Sequence, residues 1–319
     1  MKWTVDSAHA GTRLDKFLAS DGRLGSRAKA AAALERGKVF LNDQEAGLED
    51  AGLRLNAGDS VRVWMDRPGS SKPRSAPREP GGLEIVFEDD SLLVLNKPAG
   101  LLAVPLARRT DAPSVYHHLE EYLRPRGKRR PHVVHRIDRD TSGLVVFAKH
   151  ARAQERVKEQ FRSHEAERIY LAIVYGRPHP RTGTWRDHLV WDDAALIQKE
   201  THPRDPRAKE AICEYQVVEE FAATALSEVR LYTGKRNQIR LQARLRGHTL
   251  VGERRYVFGP ESLRPIAFPR QALHAWRLGF RHPEDGTLLR FEAPLPADME
   301  TLLATLRPPQ PTGRRASRG

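Results

Sequence analysis

The fifteen residues "HRIDRDTSGLVVFAK", His135 to Lys149, hold the densest run of chemistry in the 319-residue chain. From Asp138 they read D-x-D-x-S-G, the opening of a calcium-binding loop, and they also set one carboxylate between two cations, Arg136 and Arg139. A calcium loop of that type needs a bidentate Glu at its twelfth position to close the oxygen shell. Counted from Asp138 that position is Lys149, and the intervening "LVVFA" is strand-like. A cation in place of the main ligand excludes calcium. What is left is a turn that puts Asp138 at the mouth of a buried strand, with Asp140, Thr141 and Ser142 as turn formers and Gly143 closing the bend. A nearby cation keeps a carboxylate ionised. An ionised carboxylate without a metal can act as nucleophile or base. On residues alone, a salt-bridged Asp in a structural turn is the competing reading.

The elements that must position Asp138 read as strands with few helices. "LEIVFED", "LLVLNKP", "GLVVFAK", "RIYLAIVYG", "EAICEYQVVEE" and "TALSEVRLYTG" are strand-like runs, and "ARAQERVKEQFRSH" is the clearest helix. Neighbouring strands are often joined by short turns, which predicts an α+β domain with a mainly antiparallel mixed sheet and flanking helices. Ahead of it lies a smaller unit. Thr12 with Asp15 reads as a capping box, and Leu14, Phe17 and Leu18 give the helix an apolar stripe. Ser26 caps a second helix that ends at Gly37. "KVFLND" is then a strand turning at Asn42-Asp43, and "LRLNAGDSVRVW" reads as two strands around Gly58-Asp59. The segments "RPGSSKPRSAPREPGG" and "RPPQPTGRRASRG" have linker and tail composition. The boundaries read as 1–66, a basic linker 67–82, 83–306 and a basic tail 307–319.

The chain carries a formal net charge of +13. Residues 1–66 hold ten Lys or Arg and ten Asp or Glu, so the excess lies beyond them. Such a balance points to a polyanionic partner. Within the neutral unit the charge is polarised, with Arg27, Lys29, Arg36 and Lys38 on the second helix and the acids mostly later. The run "RPRGKRRPH", with Arg129 and Arg130, lies just upstream of the Asp138 segment, where it is expected to grip the polyanion, a plain charged loop being the competing reading. One cysteine, Cys213, excludes an internal disulfide and a multi-thiolate zinc site. No apolar run reaches the roughly 20 residues that span a bilayer, and "MKWTVDSAHAGTRLDKF" lacks the pattern of a secretory signal. A cytoplasmic location, no membrane and a monomer are expected.

"HRIDRDTSGLVVFAK" resembles the signature of the RluA-type uridine-to-pseudouridine synthases, His-Arg-Leu-Asp followed by Thr-Ser-Gly. "LLVLNKPAGLLAVP", "ERIYLAIVYG", "TGKRNQIRLQARLRGHTLVGERRY", "RQALHAWRLGFRHPEDG" and "FEAPLPADM" resemble further family segments in the same order, across nearly all of 83–306. The resemblance implies the pseudouridine synthase fold and an RNA substrate, with no cofactor and no metal. It implies Asp138 as nucleophile, Tyr170 stacked on the target base, and Arg240 holding Asp138 as a carboxylate. Arg136 and Arg139, with Asn237 and the wall residue Ile239, would meet the substrate. Ile137 stands where Leu is usual, Glu253 where Asp is common, and Lys235-Arg236-Asn237 replace Arg-Thr-His. Residues 12–64 resemble a small α/β RNA-binding module of the S-four type, which implies docking through Arg27, Lys29, Arg36 and Lys38.

A uracil within folded RNA must leave its stack before its glycosidic bond is reachable, and it then needs an apolar or aromatic platform. A fixed carboxylate can hold the sugar or the base while the base turns; the residues do not choose between the two. Ribosomal RNA is the expected substrate, with tRNA second. Two rivals remain: a binding protein that lost the reaction, and a carboxylate glycosidase, which would call for a second acid.

Overall fold

The computed structural model describes residues 1–65, 82–105, 112–124 and 130–308. The chain divides into two compact units, Met1–Arg78 and Glu79–Gly319. The expected linker and tail, and Arg129, fall almost wholly outside the described residues; Arg307, at the start of the tail, pairs with Glu219 at 2.7 Å.

In the first unit, strand β1 (Lys2–Thr4) precedes helices α1 (Leu14–Ala19) and α2 (Arg27–Glu35), and β2 (Val39–Leu41), β3 (Gln44–Ala46) and β4 (Ser60–Val63) follow. The strands form one sheet in the order β1-β4-β2-β3, antiparallel throughout. Leu14, Phe17 and Leu18 are buried in a single core with Val39, Val61 and Val63, each large side chain contributing about 2 kcal/mol by leaving water. Ser26 caps α2 by accepting from the Lys29 N–H at 3.2 Å, and Gly37 ends it at φ 62°. Asn42 and Asp43 both take positive φ (51° and 63°), the two-residue turn that joins twisted antiparallel strands.

Two expectations need correction here, the capping box of Thr12 with Asp15 and the strand before Gly58. Thr12 does not cap α1: its carbonyl accepts from the Leu55 N–H at 2.9 Å, so its backbone is committed to pairing, and Arg13 is the residue before the helix. Asp15 is drawn to the Arg13 guanidinium instead. The segment before Gly58 forms a single bridge, Arg13 to Arg54, and not a strand. Strand β1, too short to show a period, completes the sheet.

Among its described residues the second unit is built on eleven strands. In chain order they are β5 (Glu84–Glu88), β6 (Leu92–Lys97), β7 (His132–Val133), β8 (Ser142–Ala148), β9 (Glu167–Tyr175), β10 (Thr182–Asp192), β11 (Ile197–Glu200), β12 (Lys209–Glu220), β13 (Thr224–Leu231), β14 (Leu273–Arg281) and β15 (Leu288–Glu292). The spatial order is β11-β10-β12-β13-β9-β14-β8-β6-β5, with β15 beside β14 and β7 beside β8. All these pairings are antiparallel except β14 with β8. Helices α3 (Val115–Leu123), α4 (Ala151–Arg162), α5 (Gln238–Leu245) and α6 (Ala297–Leu306) flank the sheet. The mainly antiparallel α+β reading holds, and all six strand-like runs are strands. Strand β8 is buried along its whole length, as a central strand covered on both faces must be. Among the described residues no helix is long and apolar enough to cross a membrane.

Candidate active site

Asp138 sits in the loop between β7 and β8, and that loop is tied from below by a lysine. Lys97, at the end of β6, is fully buried. Its Nζ donates to the carbonyls of Pro98, Leu101 and Arg139, each at 2.8 Å. Burial pulls its pKa down to about 7, against the charges of Asp140 and Asp138. The Thr141 N–H closes the turn onto the Asp138 carbonyl at 3.2 Å. Gly143, expected to close the bend, already lies in β8. A Cβ there would meet the Ala275 carbonyl oxygen at 2.2 Å, so glycine is what lets β14 run beside β8.

The Asp138 carboxylate is met by α5. Asn237, heading that helix in the left-handed region (φ 54°, ψ 24°), donates from Nδ2 to Asp138 Oδ2 at 2.7 Å. Arg240, one turn on, brings Nη1 to 3.5 Å of the same oxygen. Its tighter partner is Glu253: Nε and Nη2 donate to Oε2 and Oε1 at 2.6 and 2.7 Å, a bidentate pair. The Glu253 side chain has no exposed surface. Burial alone would raise its pKa, but Arg240 and the backbone N–H groups of Arg255 and Tyr256 outweigh it and hold it below the usual carboxylate range. The three charged groups therefore sum to one negative charge, and Arg240 is fixed by Glu253 rather than by Asp138.

Asp138, Asn237 and Arg240 border a cavity of about 360 Å³, within the range that holds a small ligand. Tyr170 and Ile239, 7% and 4% exposed, are among its apolar walls. Burial raises the Tyr170 pKa to about 12, so its phenol stays protonated. His135 stacks on Phe161 with ring centroids 4.7 Å apart, and its Nε2 accepts from the Val146 N–H at 3.2 Å. Burial, reinforced by the charge of Arg168, lowers its pKa to about 3, so it is neutral. Among the described residues Asp138 is the only acid that lines it, beside the cations Arg136, Lys158, Arg162, Arg168, Lys235 and Arg240. A cavity of that charge favours an anionic ligand.

Of the residues picked out in the sequence, Asp138, Tyr170, Arg240, Arg136, Ile239 and Asn237 all line this cavity. Arg139 does not: its guanidinium is exposed and turns to Asp140 at 3.0 Å. The cation at the Asp138 carboxylate is Arg240, 102 residues further along the chain, and not the sequence neighbour. Arg27 and Lys29 are exposed on α2, while Lys38 donates to the Met65 carbonyl at 2.6 Å and Arg36 is half-buried. Arg130 is exposed. Sequence reasoning missed Lys97, Arg168 and the role of Glu253. Arg168 stands two residues before Tyr170 on the same face of β9, which the period of two could have revealed. Buried at 7% exposure, it donates to the Tyr232 carbonyl at 2.7 Å. It also lies where a Gly234 side chain would be, 2.6 Å from the ideal Cβ position.

Comparison with known proteins gives one answer. Residues 91–245 match the family model for RNA pseudouridylate synthase. A ribosomal large subunit pseudouridine synthase D of Zymomonas mobilis is 36% identical over 313 residues, covering 95% of this chain and 96% of its own. An uncharacterized RNA pseudouridine synthase of Bacillus subtilis is 35% identical over 307 residues, with 95% and 97% covered. Among solved structures, human RNA pseudouridylate synthase domain containing 4 superposes with a TM-score of 0.57 at 23% identity, over 70% of this chain and 92% of that one. That last match speaks for the fold.

Proposed function

Since this chain belongs to the RNA pseudouridylate synthase family, whose members isomerise uridine in RNA, we propose that its substrate is large-subunit ribosomal RNA and that Asp138 is the nucleophile. The observation that carries the chemistry is the Asp138 carboxylate, among the described residues the only acid lining a cation-rich cavity walled by Tyr170 and Ile239. The similarity over whole chains to a synthase named for the large ribosomal subunit favours ribosomal RNA over tRNA.

In this reading the target uridine leaves its stack and enters the cavity, its base lying on the protonated Tyr170 ring and against Ile239. The cations at the walls take the charge of the adjoining phosphates. The N1–C1′ bond breaks, the uracil turns, and C5 bonds to C1′. The C5 proton is lost and N1 gains one, so the atoms balance and no cofactor is consumed. Asp138 holds the loosened fragment meanwhile, as a covalent adduct or by stabilising a cationic sugar. The first unit, with the element order of an S-four-type module and Arg27 and Lys29 exposed on α2, would dock the RNA. The cytoplasm, where ribosomal RNA is matured in a bacterial-type cell, is the compartment this reading calls for.

The test is a pseudouridine map of RNA from cells lacking the protein, rescued with wild type or with Asp138→Asn. Sites that disappear and return only with wild type, all within large-subunit ribosomal RNA, are the expected result. Restoration by Asp138→Asn would sink the nucleophile. Sites in tRNA instead would sink the substrate assignment, and an unchanged map would leave a binding protein.

A further inference from the structure

The two oxygens of Asp138 are not equivalent. Oδ2 accepts from Asn237 Nδ2 at 2.7 Å and faces Arg240 Nη1 at 3.5 Å. Among the described residues Oδ1 has no protein partner. The asymmetry depends on which way round the Asn237 amide stands, and a neighbouring tyrosine decides it. The Tyr256 hydroxyl accepts from the Gln198 backbone N–H at 2.8 Å. A backbone N–H can only donate, so the phenolic proton is directed elsewhere, and Asn237 Oδ1 lies 3.2 Å away to accept it. With its oxygen taken, the amide has only its NH2 to offer Asp138.

The tyrosine is itself held. Tyr256 is 3% exposed, its backbone N–H donates to Glu253 Oε1 at 3.2 Å, and the Arg240 guanidinium lies over its ring at 5.2 Å from the centroid. Gln198 belongs to β11, the edge of the sheet, where its N–H would otherwise have no strand partner. A chain of donors thus runs from an edge strand through Tyr256 and Asn237 to one oxygen of the carboxylate.

We propose that Asn237 and Tyr256 are positioning residues that lock Oδ2 of Asp138 and leave Oδ1 as the reacting oxygen. This rests on Asp138 being the nucleophile. No proton moves along the chain; its work is orientation. Asn237 fixes the carboxylate about its last torsion, and Tyr256 acts only through Asn237, by keeping the amide from flipping.

The experiment is single-turnover pseudouridine formation at saturating RNA, with RNA affinity measured separately, using a transcript of large-subunit ribosomal RNA. The variants are Asp138→Asn, Asn237→Gly, Asn237→Asp, Tyr256→Phe and the double Asn237→Gly/Tyr256→Phe. Gly and Asp both accept the left-handed backbone, so the head of α5 keeps its turn. Losing a hydrogen bond to a charged group predicts a rate roughly 10- to 100-fold lower for Asn237→Gly, with affinity little changed. Tyr256→Phe should lose less, and the double variant should be no slower than Asn237→Gly alone, since the tyrosine has no separate route to Asp138. Asn237→Asp sets a second carboxylate against the first, so one of the pair keeps its proton to higher pH and the acid limb of the rate profile moves up. A residue that merely supports the fold would not move that limb.

A wild-type rate in Asn237→Gly, or fully additive losses in the double variant, would overturn the proposal. If Tyr256→Phe fails to fold, the Asn237→Asp pH profile still decides, an unmoved acid limb counting against. Activity in Asp138→Asn would remove the underlying reading instead. An inactive Asp138→Asn beside an unimpaired Asn237→Gly would remove this proposal alone.

Discussion

At the scale of single residues, the site works by controlling charge with very little spare. Arg240 spends its bidentate face on Glu253 and gives Asp138 a longer contact at 3.5 Å. A carboxylate gripped by its own guanidinium pair would be a poorer nucleophile than one that is only faced by it. His135 is a different case, a neutral ring stacked in the cavity wall with its pKa lowered to about 3 by burial. The unfolded chain takes up that proton near the ordinary histidine value of about 6.5. Below that pH the unfolded state binds more protons than the folded one. The contribution to stability is therefore complete above about 6.5 and is lost as the pH falls toward 3. Each such group gives a slope near 1.4 kcal/mol per pH unit inside its window, and His274, lowered to about 4 by burial, adds a second. Urea unfolding at pH 7 and pH 5 should show a clear loss for wild type and a smaller loss for His135→Gln. Equal losses in the two proteins would show that His135 is not held neutral.

At the scale of elements, the active loop is positioned by strands that contribute no reacting group. The Lys97 ammonium, on β6, ties the Arg139 carbonyl in the Asp138 loop to the two carbonyls of its own strand's exit. Methionine has nearly the same length and volume but no proton to give. In Lys97→Met three buried carbonyls lose their donor together, which predicts a loss of about 3 kcal/mol in stability. The rate of pseudouridine formation should drop further than RNA affinity, because the loop that carries Asp138 is the part released. Chemical unfolding and single-turnover rates check both. An intact rate in a destabilised protein would mean the lysine supports the fold and not the loop.

At the scale of the whole molecule, the charge distribution is the feature to test. The net charge is +13, while residues 1–66 are balanced, and α2 carries two exposed cations, Arg27 and Lys29. If that helix meets a phosphate backbone, reversing both charges weakens binding without touching the chemistry. The double variant Arg27→Glu/Lys29→Glu should reduce the slope of log affinity against log salt by about two. Its single-turnover rate at saturating RNA should equal that of wild type. An unchanged salt slope would make α2 an ordinary solvated helix face.

Sequence alone settled what depends on nearest neighbours. The strand runs are apolar enough to be buried wherever they pair, and Asn42-Asp43, Ser26 and Gly37 act through backbone within a few residues of themselves. The twelfth-position Lys149 ruled out calcium by its charge, and the ordered segments from "LLVLNKP" to "FEAPLPADM" marked Asp138, Tyr170 and Arg240 before any of them was seen together. What only the tertiary structure decided are the partnerships between residues far apart in the chain. Arg139, beside Asp138 in sequence, turns to Asp140, and the carboxylate is faced instead by Arg240 and Asn237 from α5. Lys97 reaches the loop from another strand, and Thr12 gave up its cap because Leu55 pairs with its backbone. The reason is physical. A turn points successive side chains in different directions, so adjacency in sequence fixes where a charge begins and folding fixes what it meets.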